Sequence, residues 1–132
     1  MREVYDGGTR SPAVPLSRAI GAGEFVFVSG TIGLRDDGYL ADTTIGQTAQ
    51  ALDNISAHLS AAGLTMDDVV TVTVYLARPE DFEDMNQVYR RYFSHPEPTR
   101  TTVCPRLVFP EHLVEIAAIA YRRRQPDSGD VQ

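Results

Sequence analysis

Two residues sit oddly in their settings, and their types could do chemistry. Arg100 opens a short strand-like segment, residues 100–104, that carries Thr102 and Cys104 on the same side. Glu115 interrupts the run LVEIAAIAY, residues 113–121, which otherwise reads as a fully buried strand. A carboxylate in a buried strand is costly unless it is paired or faces a solvated cleft. Two readings are open. In one, Arg100 and Glu115 form an ion pair that braces two neighbouring strands. In the other, Arg100 is a fork-like anchor for a substrate carboxylate, and Glu115 is a base or a water-positioning group.

Few other constellations compete. The chain has no His-x-x-x-His and no Cys-x-x-Cys, and its single Cys104 can build neither a cysteine metal cage nor an intrachain disulfide. His58, His95 and His112 are scattered and read as ordinary surface or edge histidines. Glycine-rich nucleotide loops and the G-x-S-x-G elbow are absent. Ser29-Gly30 follows an apolar run but lacks the rest of a nucleophile elbow. Asn54-Ile55-Ser56 matches a glycosylation sequon inside a helical segment and is discounted. All 12 cations are arginine. Without lysine, no side chain can form a Schiff base or attach pyridoxal phosphate. No cofactor and no metal are expected.

The elements that must position these residues follow from periodicity. Residues 16–21 and 25–28 read as strands, with Gly21-Ala22-Gly23 as the turn between them. Thr44-x-x-Gln47 has the spacing of a capping box. After it, Ile45, Ala49, Leu52, Ile55, Leu59 and Ala62 recur at helical spacing, with Gly63 as the C-terminal cap. Residues 69–76 alternate as a strand. Val70, Val72, Val74 and Leu76 share one face, and Val69, Thr71, Thr73 and Tyr75 the other. That second face is uncharged, so it is expected to meet something other than bulk water. Pro79 opens a second helix with the stripe Phe82, Met85, Val88, Tyr89, Tyr92 and Phe93, read as core. The order strand, strand, helix, strand, helix, strand, strand predicts one sheet with two helices on one face.

Composition bounds the rest. The chain has 132 residues, 42 % of them hydrophobic, and a net charge of −6. Residues 1–124 are expected to form one domain and residues 125–132 a disordered tail. No apolar run approaches the ~20 residues of a membrane helix, and residues 1–8 lack a signal-peptide core, so a cytoplasmic protein without a membrane partner is expected. The one basic cluster, Arg122-Arg123-Arg124, reads as a solvated strand end rather than a stripe for phosphates, and no nucleic-acid partner is expected.

The segment PTRTTV, residues 98–103, followed by LVEIAAIA, residues 113–120, resembles the C-terminal signature of the RidA/YjgF family, P-x-R-[ST]-x-V and V-E-I-E-A-I-A. FVFVSG at 25–30, ALDNI at 51–55, AAGL at 61–64, and FEDMN at 82–86 with Tyr89 extend the resemblance over nearly the whole chain. It implies an α+β, chorismate-mutase-like single domain with a mixed sheet and two helices on one face. It also implies a homotrimer with a cleft at each subunit interface. The implied activity is cofactor-free hydrolysis of reactive 2-imino and enamine acids, of the 2-aminoacrylate and 2-iminopropionate type, to 2-keto acids and ammonia. Arg100 then falls where the family grips the substrate carboxylate, and Glu115 where it positions water. Thr102 holds a place often taken by cysteine, where a backbone group contacts substrate. Asn86 and the Ser29-Gly30 backbone match other cleft positions. The main departure is Leu16, in the stretch Val14-Pro15-Leu16-Ser17, where many deaminating members have a cleft tyrosine. Ala117 replaces the second glutamate of the signature. The resemblance therefore also admits a member that lacks this deaminase activity and binds or acts on another small carboxylate. A ribonuclease is disfavoured by the acidic charge.

Overall fold

The structure is a computed structural model that describes residues 2–5 and 14–123. The tail expected at 125–132 lies outside the described residues. Eight main elements follow in order: β1 (Arg2–Val4), β2 (Ala19–Ala22), β3 (Phe25–Ile32), α1 (Thr44–Ala61), β4 (Val69–Leu76), α2 (Phe82–Tyr89), β5 (Thr99–Val103) and β6 (Val114–Tyr121). The strands form one mixed sheet in the order β1-β2-β3-β6-β4-β5. Only β4 and β5 run parallel, and α2 is the crossover between them. The fold is α+β. None of the described helices is long and apolar enough to cross a membrane.

The core lies between one sheet face and the two helices. Leu52, Ile55 and Leu59 of α1 and Met85 and Tyr89 of α2 close over Val26, Val72, Val74, Ile116 and Ala118. These are the alternate residues of three strands, as half-buried strands require. The helical spacing of α1 and the full extent of β4 are as the periodicity predicts.

Several expectations are corrected. β1 is an additional strand; its three residues are all exposed, so no burial period marks it in the sequence. β2 starts at Ala19 rather than 16, and its turn is Gly23-Glu24, with Gly23 at φ 60°. β5 ends at Val103, so Cys104 lies outside the strand, exposed. In β4 an extra residue bulges out, so Val69 turns into the core and Val70 turns outward, 43 % exposed. Ile45 and Phe82 are exposed rather than part of their helices' buried stripes.

The predicted capping box does not form. Thr43 is the N-cap, and its Oγ1 accepts the Gly46 N–H at 3.1 Å. The Thr44 hydroxyl instead donates to the Asp81 carboxylate at 2.7 Å. Gln47 is fully buried and ties two loops to the helix. Its amide donates to the carbonyls of Ala41 (2.7 Å) and Glu111 (3.0 Å), and its Oε1 accepts the Leu113 N–H at 2.8 Å. The bonds to Glu111 and Leu113 fix the entry into β6, two residues before Glu115.

Candidate active site

Arg100 is placed by the parallel ladder of β4 and β5. Val72 pairs with Arg100 and Val74 with Thr102. Both valines are buried in the core, so Arg100 and Thr102 point to the helix-covered face. There α2 meets the guanidinium, whose carbon stands 4.8 Å from the Tyr89 ring centroid and 5.6 Å from that of Phe82. A groove of about 580 Å³ opens here, lined by Asn86, Tyr89, Phe93, Glu97, Pro98 and Arg100. Among the described residues, no carboxylate forms an ion pair with Arg100.

The same face carries unspent hydrogen-bonding capacity. Asn86 Oδ1, the Tyr89 hydroxyl and Thr102 Oγ1 are buried without a partner among the described residues. Leaving such a group unpaired costs about 1–3 kcal/mol. Burial pushes the Tyr89 phenol up to about 12, so it is neutral at physiological pH.

Glu115 is placed differently. It pairs with Tyr75 on β4 and Ile32 on β3, on the sheet face away from the helices. The β3–β6 register jumps between Val28 and Thr31, so Ser29 and Gly30 together oppose Ala117. This bulge makes room for a carboxylate: a Cβ built on Gly30 would collide with Glu115 Oε2. Ser29 anchors the bulge to the preceding segment. Its hydroxyl donates to the Ser17 carbonyl at 2.5 Å, and its N–H to the Arg18 carbonyl at 2.9 Å. Leu16, next to Ser17 in the chain, is 43 % exposed.

The two groups do not meet within one chain. β4 lies between β5 and β6, and Arg100 aligns through Val72 with Ala118, three residues from Glu115. Strand geometry then puts the two Cα atoms on the order of 14 Å apart, with side chains on opposite faces. The expected alternative of an Arg100–Glu115 ion pair bracing neighbouring strands is therefore overturned. One chain gathers Arg100 and Asn86 at a groove, with Thr102 on the same face. Separately it gathers Glu115, Ser29 and Gly30 at the bulge; Leu16 precedes Ser17, whose carbonyl accepts the Ser29 hydroxyl.

Tyr89 and Phe82, core positions by the helical stripe, stand beside the Arg100 guanidinium in the structure. The available signal was Asn86 inside an apolar helical stripe, with Phe82 four residues before it and Tyr89 three after. Other charged groups find structural uses. Arg122 Nη2 donates to the Ala62 carbonyl at 2.6 Å at the end of α1, and Arg123 pairs with Asp68 at 3.2 Å. His58 is buried in α1, not at the surface as expected, whereas His95 is exposed beside Glu97. Among the described residues no three His, Cys, Asp or Glu side chains could jointly hold a metal ion.

Comparison with known proteins places the chain. A family model described as endoribonuclease L-PSP matches residues 8–122. A RutC family protein of Pyrococcus horikoshii is 41 % identical over 127 residues, covering 92 % of this chain and 99 % of the relative. The chloroplastic reactive intermediate deaminase A of Arabidopsis thaliana is 37 % identical over 97 residues, covering 70 % of this chain and 52 % of that protein. The crystal structure of Escherichia coli TdcF with bound serine superposes with a TM-score of 0.84 at 28 % identity, covering 92 % of this chain and 99 % of that one. With its signature strands, its sheet order and these relatives in agreement, the chain belongs to the RidA/YjgF family.

Proposed function

We propose that this protein hydrolyses small 2-imino and enamine acids, of the 2-aminoacrylate and 2-iminopropionate type, to 2-keto acids and ammonia. The observation that carries the reading is the Arg100 guanidinium. It lines an open groove beside the buried, unpartnered Asn86 Oδ1, with no carboxylate of the described residues engaging it. A guanidinium held this way is a ready fork for a substrate carboxylate. The relative named as a reactive intermediate deaminase and the neighbour with bound serine support a small amino-acid-like ligand.

The chemistry asks little of the protein. Water adds to the imine carbon next to the carboxylate and gives a carbinolamine. Its C–N bond then breaks, ammonia leaves with the proton it gains, and the carbonyl of the keto acid forms. Arg100 fixes the carboxylate, and so the carbon to be attacked. Glu115 holds the attacking water and accepts its proton. The backbone at Ser29-Gly30 and at Thr102 lines the reacting centre.

In this reading Arg100 and Glu115 of one site come from two copies of the chain. The sheet face that carries Glu115 supports it. Phe25, Phe27, Tyr121, Val70 and Val103 are exposed large apolar residues on the strands. Such a patch is suited to association rather than to water. We propose a homotrimer with sites between subunits, whose mass sedimentation would measure directly.

The test is turnover of freshly generated imines of alanine, leucine and methionine, read as loss of imine and release of ammonia. Hydrolysis above the uncatalysed rate supports the reading. No acceleration with any of the three sinks it. Leu16 favours the second reading, a carboxylate-binding member without this turnover, because leucine donates no hydrogen bond to substrate. A ribonuclease is not proposed: the net charge is −6, and Arg122 and Arg123 are engaged within the fold.

A further inference from the structure

We propose that Tyr89 and Phe82 are positioning residues for Arg100. Their rings hold the guanidinium so that its N–H edge stays open to a ligand carboxylate. The proposal rests on the reading of Arg100 as a carboxylate anchor and deepens it.

An arginine must be held to be useful, because its long side chain otherwise samples many rotamers. The usual holder is a carboxylate. A carboxylate, however, occupies the same N–H fork that the substrate needs and neutralises the charge that attracts it. Arg100 has no such partner among the described residues. Instead, its guanidinium carbon is within reach of two ring centroids, at 4.8 Å for Tyr89 and 5.6 Å for Phe82, inside the ~6 Å range of cation–π attraction. An aromatic ring attracts a cation through its π-electrons and offers no lone pair to the N–H donors. The charge is positioned and its hydrogen bonds remain unspent.

The two rings are unequal. Tyr89 is 7 % exposed and set in the core against Phe93, ring centroids 4.6 Å apart, so it is a rigid bed. Phe82 is 40 % exposed at the first turn of α2 and is the outer, weaker contact. The Tyr89 hydroxyl is buried without a partner among the described residues. It therefore adds nothing visible to the holding of Arg100, and the ring is the active part. This also gives a use to an exposed phenylalanine, whose ring stands 5.6 Å from the Arg100 guanidinium carbon.

Binding of 2-oxobutanoate, a stable keto-acid product analogue, is measured by calorimetry on the intact protein, and KM and kcat are read with the corresponding imine. Tyr89→Leu is expected to weaken binding about ten-fold and Phe82→Leu about three-fold, with KM rising more than kcat falls. Tyr89→Phe, which keeps the ring, is expected to stay within about three-fold of wild type. If Tyr89→Leu does not fold, the exposed Phe82→Leu carries the test alone. Wild-type affinity in folded Phe82→Leu and Tyr89→Leu overturns the proposal, since loss of packing alone would lower Tm and leave affinity untouched. Equal weakening in Tyr89→Phe and Tyr89→Leu overturns it too, by assigning the effect to the hydroxyl. A wild type that does not bind 2-oxobutanoate also overturns it. A wild type that binds the keto acid but turns over no imine sinks the deaminase reading and leaves the aromatic bed standing.

Discussion

Arg100 and Glu115 stand on opposite faces of one sheet, and they are held by opposite means. Arg100 is held by side chains: a core tyrosine lies beneath it, a half-exposed phenylalanine beside it, and a groove opens in front. Glu115 is held by backbone: a bulge in β3 and the missing side chain of Gly30 leave the space its carboxylate fills. The cation is accommodated by adding aromatic surface, the anion by removing a methyl group. In both cases the charge is placed without an ion-pair partner among the described residues. On the proposed function, two charges so prepared, on faces that one chain cannot bring together, are halves of one site that forms when two copies meet.

The largest effect is expected from Arg100→Ala, which removes the fork and should take imine turnover to background while circular dichroism remains that of the wild type. Co-expression sharpens this. Chains with Arg100→Ala mixed with chains carrying Glu115→Ala should recover about a quarter of wild-type activity in randomly mixed oligomers, because some sites then receive both intact groups. If the mixture stays as inactive as either variant alone, the division of the site between copies is wrong. Undiminished turnover in folded Arg100→Ala removes the residue from the mechanism altogether.

Gly30→Ala probes the other half. The added methyl meets the Glu115 carboxylate, which must move. Misplacing a reacting group by about 1 Å can cost on the order of 100-fold, so kcat should fall by roughly that factor while 2-oxobutanoate binding through Arg100 changes little. A loss of keto-acid binding equal to the loss of kcat would show that the two halves are not separable.

Alkaline pH bears on the tyrosines. The Tyr89 and Tyr92 phenols are both raised to about 12, in each case chiefly by burial, against ~10 in an unfolded chain. A raised phenol binds its proton more tightly in the folded state. Its contribution to stability is whole below pH ~10 and is lost as pH climbs from ~10 through ~12. Tm should therefore fall over that window, and less steeply in Tyr89→Phe. An identical fall in the variant would mean that Tyr89 is not the titrating group.

The smallest effect is expected at Leu16. A leucine wall gains from each added substrate methylene, ~0.8 kcal/mol or about four-fold at most, so leucine- and methionine-derived imines should be handled at least as well as the alanine-derived imine. Leu16→Tyr should shift kcat/KM toward the smallest imine. An unchanged ranking in the variant would place Leu16 outside the pocket.

The sequence by itself determined the elements whose residues repeat with one period: α1, with its Leu52–Ile55–Leu59 stripe, and β4, from Val69 to Leu76. It also singled out Arg100 and Glu115, because a charge in an apolar strand stands out against its neighbours. Periodicity failed where tertiary contacts broke it. The bulges at Val70 and at Ser29-Gly30 each shift a strand by one residue, and a one-residue shift exchanges its faces. Gln47 matched a cap by spacing, but three backbone groups on two loops claimed its buried amide. Tyr89 was indistinguishable from core, since its buried edge and the face beneath Arg100 belong to one ring. Above all, the order in which the strands pair decided that Arg100 and Glu115 face opposite ways. That order is set by long-range pairing of strands far apart in the chain, and the local period of any one strand carries no record of its neighbours.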